Sequence, residues 1–438
     1  MNCQEQKRIL IITYYWPPSG GVGVHRCLKF AKYLRKFGWE PVIYTAENAQ
    51  YPYYDETNFV HVPEGITVLK HPIWEPYNLF KIASGRKKSD AMNNPVHVRD
   101  RNTFIDKLAI WIRGNFFIPD ARKFWIKPSV KYLSKWLSEN RTDAILSNGP
   151  PHTNSVIACK LSKKFNIPWL SDFQDPWTQV DYYKLLKLTR RADKKHKKLE
   201  QEVFDTAKKI TIASPTWKRD LESIGAKNVD VIFWGYDEDE FSNLTQNIDA
   251  KFTVTHAGLI GFDRLPDIFL KVFGDMKNEI AGFSGHLAIQ FPGMIDYSII
   301  NALKQYKLIP NTWLPGTISR IEANKCIFNS QILLLLLNKA DNAAGRIPGK
   351  LFECLRANRP ILCLGPKISD VKKIVESTQS GASFEYDDYK NIRAFLEERY
   401  KMFLENNNAI SQIDIEQYSV ENQTKKIADY LASIKCNF

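Results

Sequence analysis

Short apolar runs alternate along this chain with longer stretches whose apolar residues recur every three or four positions. The first pattern marks strands buried on both faces, the second amphipathic helices. Strands are predicted at 8–13, 41–45, 65–70, 143–147, 167–171, 209–213 and 229–233. A second set is predicted at 252–256, 287–291, 313–314, 332–337 and 382–384, with one more buried strand just before Gly365. Helices fill the intervals. One runs to about Phe37 with Val24, Cys27, Leu28, Ala31 and Leu34 on one face, and others cover 153–165, 266–277, 295–306, 321–328, 370–377 and 389–405. Such alternation predicts an α/β protein with parallel sheets. A polar, acidic interval separates the two series. The predicted organisation is a Rossmann-like domain over 1–234, a linker over 235–250 and a second Rossmann-like domain over 251–417. A last helix, within 418–438, docks back on the first domain.

Composition narrows the class without choosing a function. With 438 residues, 44% hydrophobic and 25% charged, the chain suits two ordinary globular domains. No stretch approaches the roughly 20 apolar residues of a membrane-spanning helix. The first residues enter a strand pattern directly and lack a secretory leader's apolar core. The seven cysteines are scattered, which argues against a zinc site or disulfide framework and fits a cytoplasmic protein. A net charge of +13 admits nucleic acid, an anionic membrane or a phosphorylated substrate. No nucleic-acid module is recognisable, so nucleic acid is not an expected partner. Within 104–136, aromatics interleave with lysines and arginines. That mixture can lie on an anionic membrane interface, but aromatics in the core with solvated lysines is the favoured reading.

In open parallel sheets, ligands bind beyond the carboxyl ends of the strands. Three turns of the first half fall there: the one with Gly20 and Gly21, the one with His152, and the one with Asp172 and Asp175. The glycines lack the dinucleotide fingerprint spacing, and no acidic residue ends the following strand. They suit a nest of backbone amides, or simply a tight turn. A histidine and two aspartates on such a rim can bind sugar hydroxyls or move protons. The structural alternatives are a cap for Asp172 and a hydrogen bond within the fold for His152. In the second half, Gly258 opens a glycine-rich turn with Arg264 beyond it, suited to phosphate. Further on, Gly349, Lys350 and Leu351 begin a short helix with Glu353 in its early turns. Helical side chains lean toward the N-terminus, so Glu353 approaches whatever docks at the preceding loop. A helix start with a lysine and a carboxylate suits a ligand bearing both phosphate and vicinal hydroxyls, such as a nucleotide. The bland alternative is a strand–loop–helix unit with a solvated glutamate.

Taken together, these segments resemble the retaining glycosyltransferases of family 4 (group 1), of the bacterial surface-polysaccharide type and GT-B fold. The resemblance rests on the aromatic-Pro-Pro loop and Gly-Gly turn within 9–37, S-x-G-P-P-H at 147–152, and D-F-Q-D-P-W at 172–177. It continues with L-E-x-x-V and I-T-x-x-S-P within 199–215, the A-G turn with Arg264, and P-G-K-L-F-E-C-L-R-A-N-R-P-I-L at 348–362. It implies two Rossmann-like domains facing each other across a cleft. It also implies transfer of a sugar from a nucleotide-diphosphate donor to a glycan or lipid-linked acceptor, with no metal or other cofactor. By this resemblance Glu353 holds the ribose hydroxyls. Arg264 and Lys350, with the backbone around Gly258, Gly349 and Leu351, hold the diphosphate. Gly20 and Gly21 lie against the diphosphate and sugar, and Asp172, Asp175 and His152 face the transferred sugar or acceptor. Retention is written as front-face attack, the leaving phosphate oxygen taking the acceptor proton. The basic aromatic segment then meets the inner face of the membrane or the acceptor's phosphates.

Three positions depart from the family pattern. Gly345 stands where a glutamate on the donor sugar is expected, with Asp341, Asn342 and Arg346 nearby as substitutes. Leu259 replaces the usual arginine after the turn glycine, and Trp234 replaces the asparagine of an Asn-Gly pair. Two other readings therefore stay open: a non-catalytic GT-B subunit binding glycan or a partner protein, and a GT-B nucleotide-sugar epimerase.

Overall fold

The structure is a computed structural model and describes residues 6–75, 104–340, 342–407 and 414–434. The basic run at 85–88 and Asp341 lie outside the described residues. The chain divides into two compact units, Met1–Phe233 with Glu421–Phe438, and Trp234–Val420.

Among the described residues of the first unit, seven strands form one parallel sheet: β1 Lys7–Ile12, β2 Trp39–Ala46, β3 Thr67–His71, β4 Ala144–Gly149, β5 Trp169–Phe173, β6 Lys209–Ile212 and β7 Val229–Val231. Their order is β3-β2-β1-β4-β5-β6-β7, every neighbouring pair parallel. The central strands are covered on both faces, which is why they read as unbroken apolar runs. Ile9–Ile12 in β1 and Ala144–Leu146 in β4 have no solvent exposure. The strand order reverses between β1 and β4, so the carboxyl ends of β1, β4 and β5 are neighbours on one rim. The helix Val420–Ser433 packs Ile427, Ala428 and Leu431 into the cluster that holds Ile9, Leu28 and Ile43.

Two helices of this unit lie in the aromatic and basic segment, where no helix is predicted from the sequence. The helix Phe104–Phe116 turns Leu108, Ile112 and Phe116 to solvent, at 43%, 38% and 58% exposure. An apolar stripe on the wet side blurs the amphipathic pattern. The helix Ile126–Glu139 buries only Ser129, Leu133 and Leu137. The aromatics between 104 and 136 accordingly divide. Trp125 is core and stacks on Tyr44 at 5.0 Å, whereas Phe116 and Phe124 are exposed.

The second unit holds β8 Phe252–Thr255, β9 Leu287–Gln290, β10 Thr312–Trp313, β11 Ile332–Leu336, β12 Ile361–Leu364 and β13 Gly381–Phe384. They form a parallel sheet in the order β10-β9-β8-β11-β12-β13. Phe252, Phe269, Phe273, Phe283 and Phe291 dominate its core. The acidic interval read as a linker is packed onto this unit. Phe241 is buried and stacks on Phe328, while Glu238 pairs with Arg356 and Glu240 with Arg320. Among the described residues no helix is long and apolar enough to cross a membrane.

Candidate functional site

The second unit brings its sequence-predicted residues together around one turn. After β8 the chain turns at Gly258 with φ +118, a backbone conformation that favours glycine. Space demands glycine as well: a Cβ there would lie 2.1 Å from Lys350 Nζ. The lysine ammonium is thus seated directly on the Gly258 backbone. Lys350 opens the helix Lys350–Ala357, preceded by Gly349. Leu351, Phe352 and Leu355 form the buried face of that helix. The Leu351 side chain is core, and its amide donates to the Pro348 carbonyl at 3.0 Å, so neither points at a ligand.

Burial pulls the Lys350 pKa down from 10.5 to about 8; Glu353 and Cys354 oppose this, and Arg264 reinforces it. None of these influences is a hydrogen bond, so the ammonium is under-compensated. An arriving anion would offset the burial and favour the charged form. Arg264, in the turn Phe262–Arg264, is braced by Asp263 at 3.2 Å. Glu353 retains 17% side-chain exposure, and its Oε1 accepts a hydrogen bond from Arg320 Nη2 at 2.8 Å. That partner lies 33 positions away and carries no local sequence signal. Gly345 is buried in the short turn Ala343–Gly345 and offers no carboxylate.

The first unit places its predicted residues on one rim but uses them differently. Gly20 donates its amide to the Tyr53 carbonyl at 2.9 Å, and a Cβ on Gly20 would lie 2.1 Å from the Tyr53 ring. Gly21, with φ 79 and ψ 179, enters the helix Val22–Leu34 through a conformation essentially reserved for glycine. Asp172, at 0% exposure, is saturated. Its Oδ2 accepts from Arg26 Nε (2.7 Å) and Asn148 Nδ2 (2.8 Å), and its Oδ1 from Arg26 Nη2 (2.7 Å) and Thr211 Oγ1 (2.7 Å). Arg26 also donates to the Ile232 carbonyl at 3.0 Å. The expectation that Asp172 faces substrate is therefore corrected: in this structure it ties the first helix to β4, β5 and β6.

His152 sits at the start of the helix Thr153–Phe165 and stacks on Trp177, ring centroids 4.5 Å apart. Trp177 Nε1 donates to His196 Nδ1 at 3.1 Å, which fixes the stacked ring. Burial, helped by His196, lowers the His152 pKa to about 3, and its Nδ1 has no hydrogen-bond partner. That nitrogen is buried against Gly149, so the structure shows a neutral, packed imidazole and no contact surface for a ligand at Nδ1. Asp175 is half-buried beside Tyr182, whose phenol is pushed up to about 12 by burial and then by Asp175.

His256, in the second unit, is likewise lowered to about 3, by burial and then by Lys350. Both histidines stay neutral in the native state while their unfolded counterparts take up protons below about 6.5. Stability is therefore lost as pH falls from about 6.5 toward 3, by up to about 1.4 kcal/mol per pH unit for each histidine. Thermal melts between pH 7 and 5 check this. A His152→Gln variant flattens the slope, and an unchanged slope contradicts the burial argument.

No protein-family model matches the sequence. No curated protein matches it either. Solved structures do. The E. coli trehalose-6-phosphate protein bound with UDP-2-fluoro glucose superposes with a TM-score of 0.60 at 11% identity, covering 98% of this chain and 100% of that one. TarM of S. aureus, in complex with Fondaparinux, alpha-GlcNAc-glycerol and UDP, gives 0.57 at 12% identity over 98% and 100%. WaaG, a glycosyltransferase involved in lipopolysaccharide biosynthesis, gives 0.55 at 12% identity over 97% and 100%. Two parallel Rossmann-like sheets with flanking helices and these near full-length superpositions define the fold as GT-B. At such identities the likeness is one of backbone and assigns no residue.

Proposed function

We propose that the protein is a retaining, metal-independent glycosyltransferase of the family 4 type. It moves a sugar from a nucleotide-diphosphate donor, UDP preferred over GDP, to a glycan or lipid-linked acceptor in cell-surface polysaccharide synthesis. The observation that carries the reading is the under-compensated Lys350 ammonium seated on Gly258, with Arg264 beside it and Glu353 one helical turn on. Two of the similar structures hold UDP or a UDP-sugar, and WaaG acts in lipopolysaccharide biosynthesis. In this reading Lys350 and Arg264 take the charge that develops on the leaving diphosphate, the role a metal ion plays elsewhere. Glu353 accepts from the ribose hydroxyls. The bond from the anomeric carbon to the diphosphate breaks as the acceptor oxygen bonds on the same face. The leaving oxygen takes the acceptor's proton, so no protein nucleophile is needed.

On the first unit, His152, Asp175 and the Gly20-Gly21 turn serve the sugar and acceptor side. The exposed stripe of Leu108, Ile112 and Phe116, next to Lys107 and Arg113, suits the inner face of an anionic membrane where a lipid-linked acceptor would lie. The test is turnover. Purified protein is incubated with a panel of UDP- and GDP-sugars and bacterial lipid and glycan extracts. Acceptor-stimulated release of the nucleoside diphosphate from one donor is expected; release from none, under conditions where the protein is folded, overturns the proposal.

A further inference from the structure

Glu353 is held, and what holds it is built as carefully as the turn around Lys350. Arg320 is the first residue of the helix Arg320–Asn329, and the preceding Ser319 closes a reciprocal cap with Glu322. The Ser319 hydroxyl accepts from the Glu322 amide at 3.2 Å, and Glu322 Oε2 accepts from the Ser319 amide at 3.0 Å. This pins the backbone from which Arg320 projects. One nitrogen of Arg320, Nη2, donates both to Glu353 Oε1 at 2.8 Å and to Glu240 Oε2 at 2.6 Å, and Nε adds a 3.0 Å bond to Glu240. Glu240 is only 10% exposed and ends the turn Glu238–Glu240, which Asp237 caps. The buried Phe241 beside it stacks on Phe328. Two carboxylates on one nitrogen would repel without the guanidinium between them.

We infer that Arg320 is a positioning residue for the donor: it holds the Glu353 carboxylate in one orientation, so that the ribose diol meets a preset acceptor. The inference rests on the donor reading above. A carboxylate has about four lone-pair sites, so the single contact at Oε1 leaves capacity for two hydroxyls. The acidic interval from 235 to 250 gains a role in this account, because Glu240 is the anchor on the far side of Arg320. Preorganisation of this kind acts on affinity and leaves the chemical step untouched.

The test is calorimetric titration of UDP and of GDP into the wild-type protein and the Arg320→Ala, Arg320→Lys and Glu240→Gln variants, with donor kinetics alongside. The wild type binds one nucleotide, and Arg320→Ala binds it about tenfold more weakly, a charge-assisted hydrogen bond discounted for the exposure of the arginine. The loss falls on the donor KM, with kcat within about twofold. Arg320→Lys recovers part of the affinity, and Glu240→Gln loses less than Arg320→Ala. A merely structural arginine would not split KM from kcat in this way, nor be rescued by lysine. Equal affinity in Arg320→Ala overturns the inference. So does tighter binding, which would mean that Arg320 competes with the ribose, and so does a fall in kcat at constant KM. If the wild type binds neither nucleotide, the donor reading itself falls and this inference with it.

Discussion

Lys350→Ala is expected to lower kcat/KM for the donor by about 100- to 1,000-fold, the usual effect of removing a group aimed at charge developing in the transition state. The same change should leave the fold intact or slightly firmer. The folded-state pKa of about 8 lies below the ordinary 10.5, so the fold disfavours the charged form and gains nothing from keeping it. This combination separates a ligand-binding lysine from a structural one. Lys350→Arg should rescue poorly despite its charge, because the Nζ already occupies the space a Cβ on Gly258 would fill. In the wild type, donor affinity should weaken as pH rises through about 8, where the free protein loses the ammonium proton, and hold steady below. Steady-state kinetics on the two variants, with a pH series for the wild type, check both claims.

Asp172→Ala should cost about 3–5 kcal/mol of stability in the first unit, the typical penalty for leaving a buried charge without its partner. Arg26 is 3% exposed and makes its bidentate contact with Asp172 deep in the sheet. Replacing both residues with apolar ones of similar volume should recover only part of the loss, because Asn148, Thr211 and the Ile232 carbonyl then lose buried partners as well. Urea unfolding of the single and double variants reads this directly. An Asp172→Asn protein with wild-type stability and abolished turnover would instead return Asp172 to the chemistry.

The α/β alternation was legible because parallel strands covered on both faces leave apolar runs. Ile332–Leu336 is one, and helices such as Thr153–Phe165 and Asp370–Ser377 fill the gaps with matching bounds. The helix Phe104–Phe116 escaped because its stripe of Leu108, Ile112 and Phe116 faces water. At the candidate site, the loop, Lys350 and Glu353 could be read from one continuous stretch. Their partners could not. Arg320 reaches Glu353 across 33 positions and Arg26 reaches Asp172 across 146, and nothing local marks either pairing. An aspartate at the carboxyl end of a strand looks the same in sequence whether it faces a ligand or a buried arginine. The seat of Lys350 on Gly258 was likewise invisible, because it depends on β8 lying beside β11 in the sheet.

The account stands most directly on one titration: UDP- and GDP-sugars into the purified wild-type protein and into Lys350→Ala, by calorimetry near pH 7. It predicts that the wild type binds one donor class at a single site and that Lys350→Ala binds it at least about tenfold more weakly, the loss of one charge-assisted contact. No binding of any nucleotide-sugar to the folded wild type, or equal binding by the variant, would contradict it.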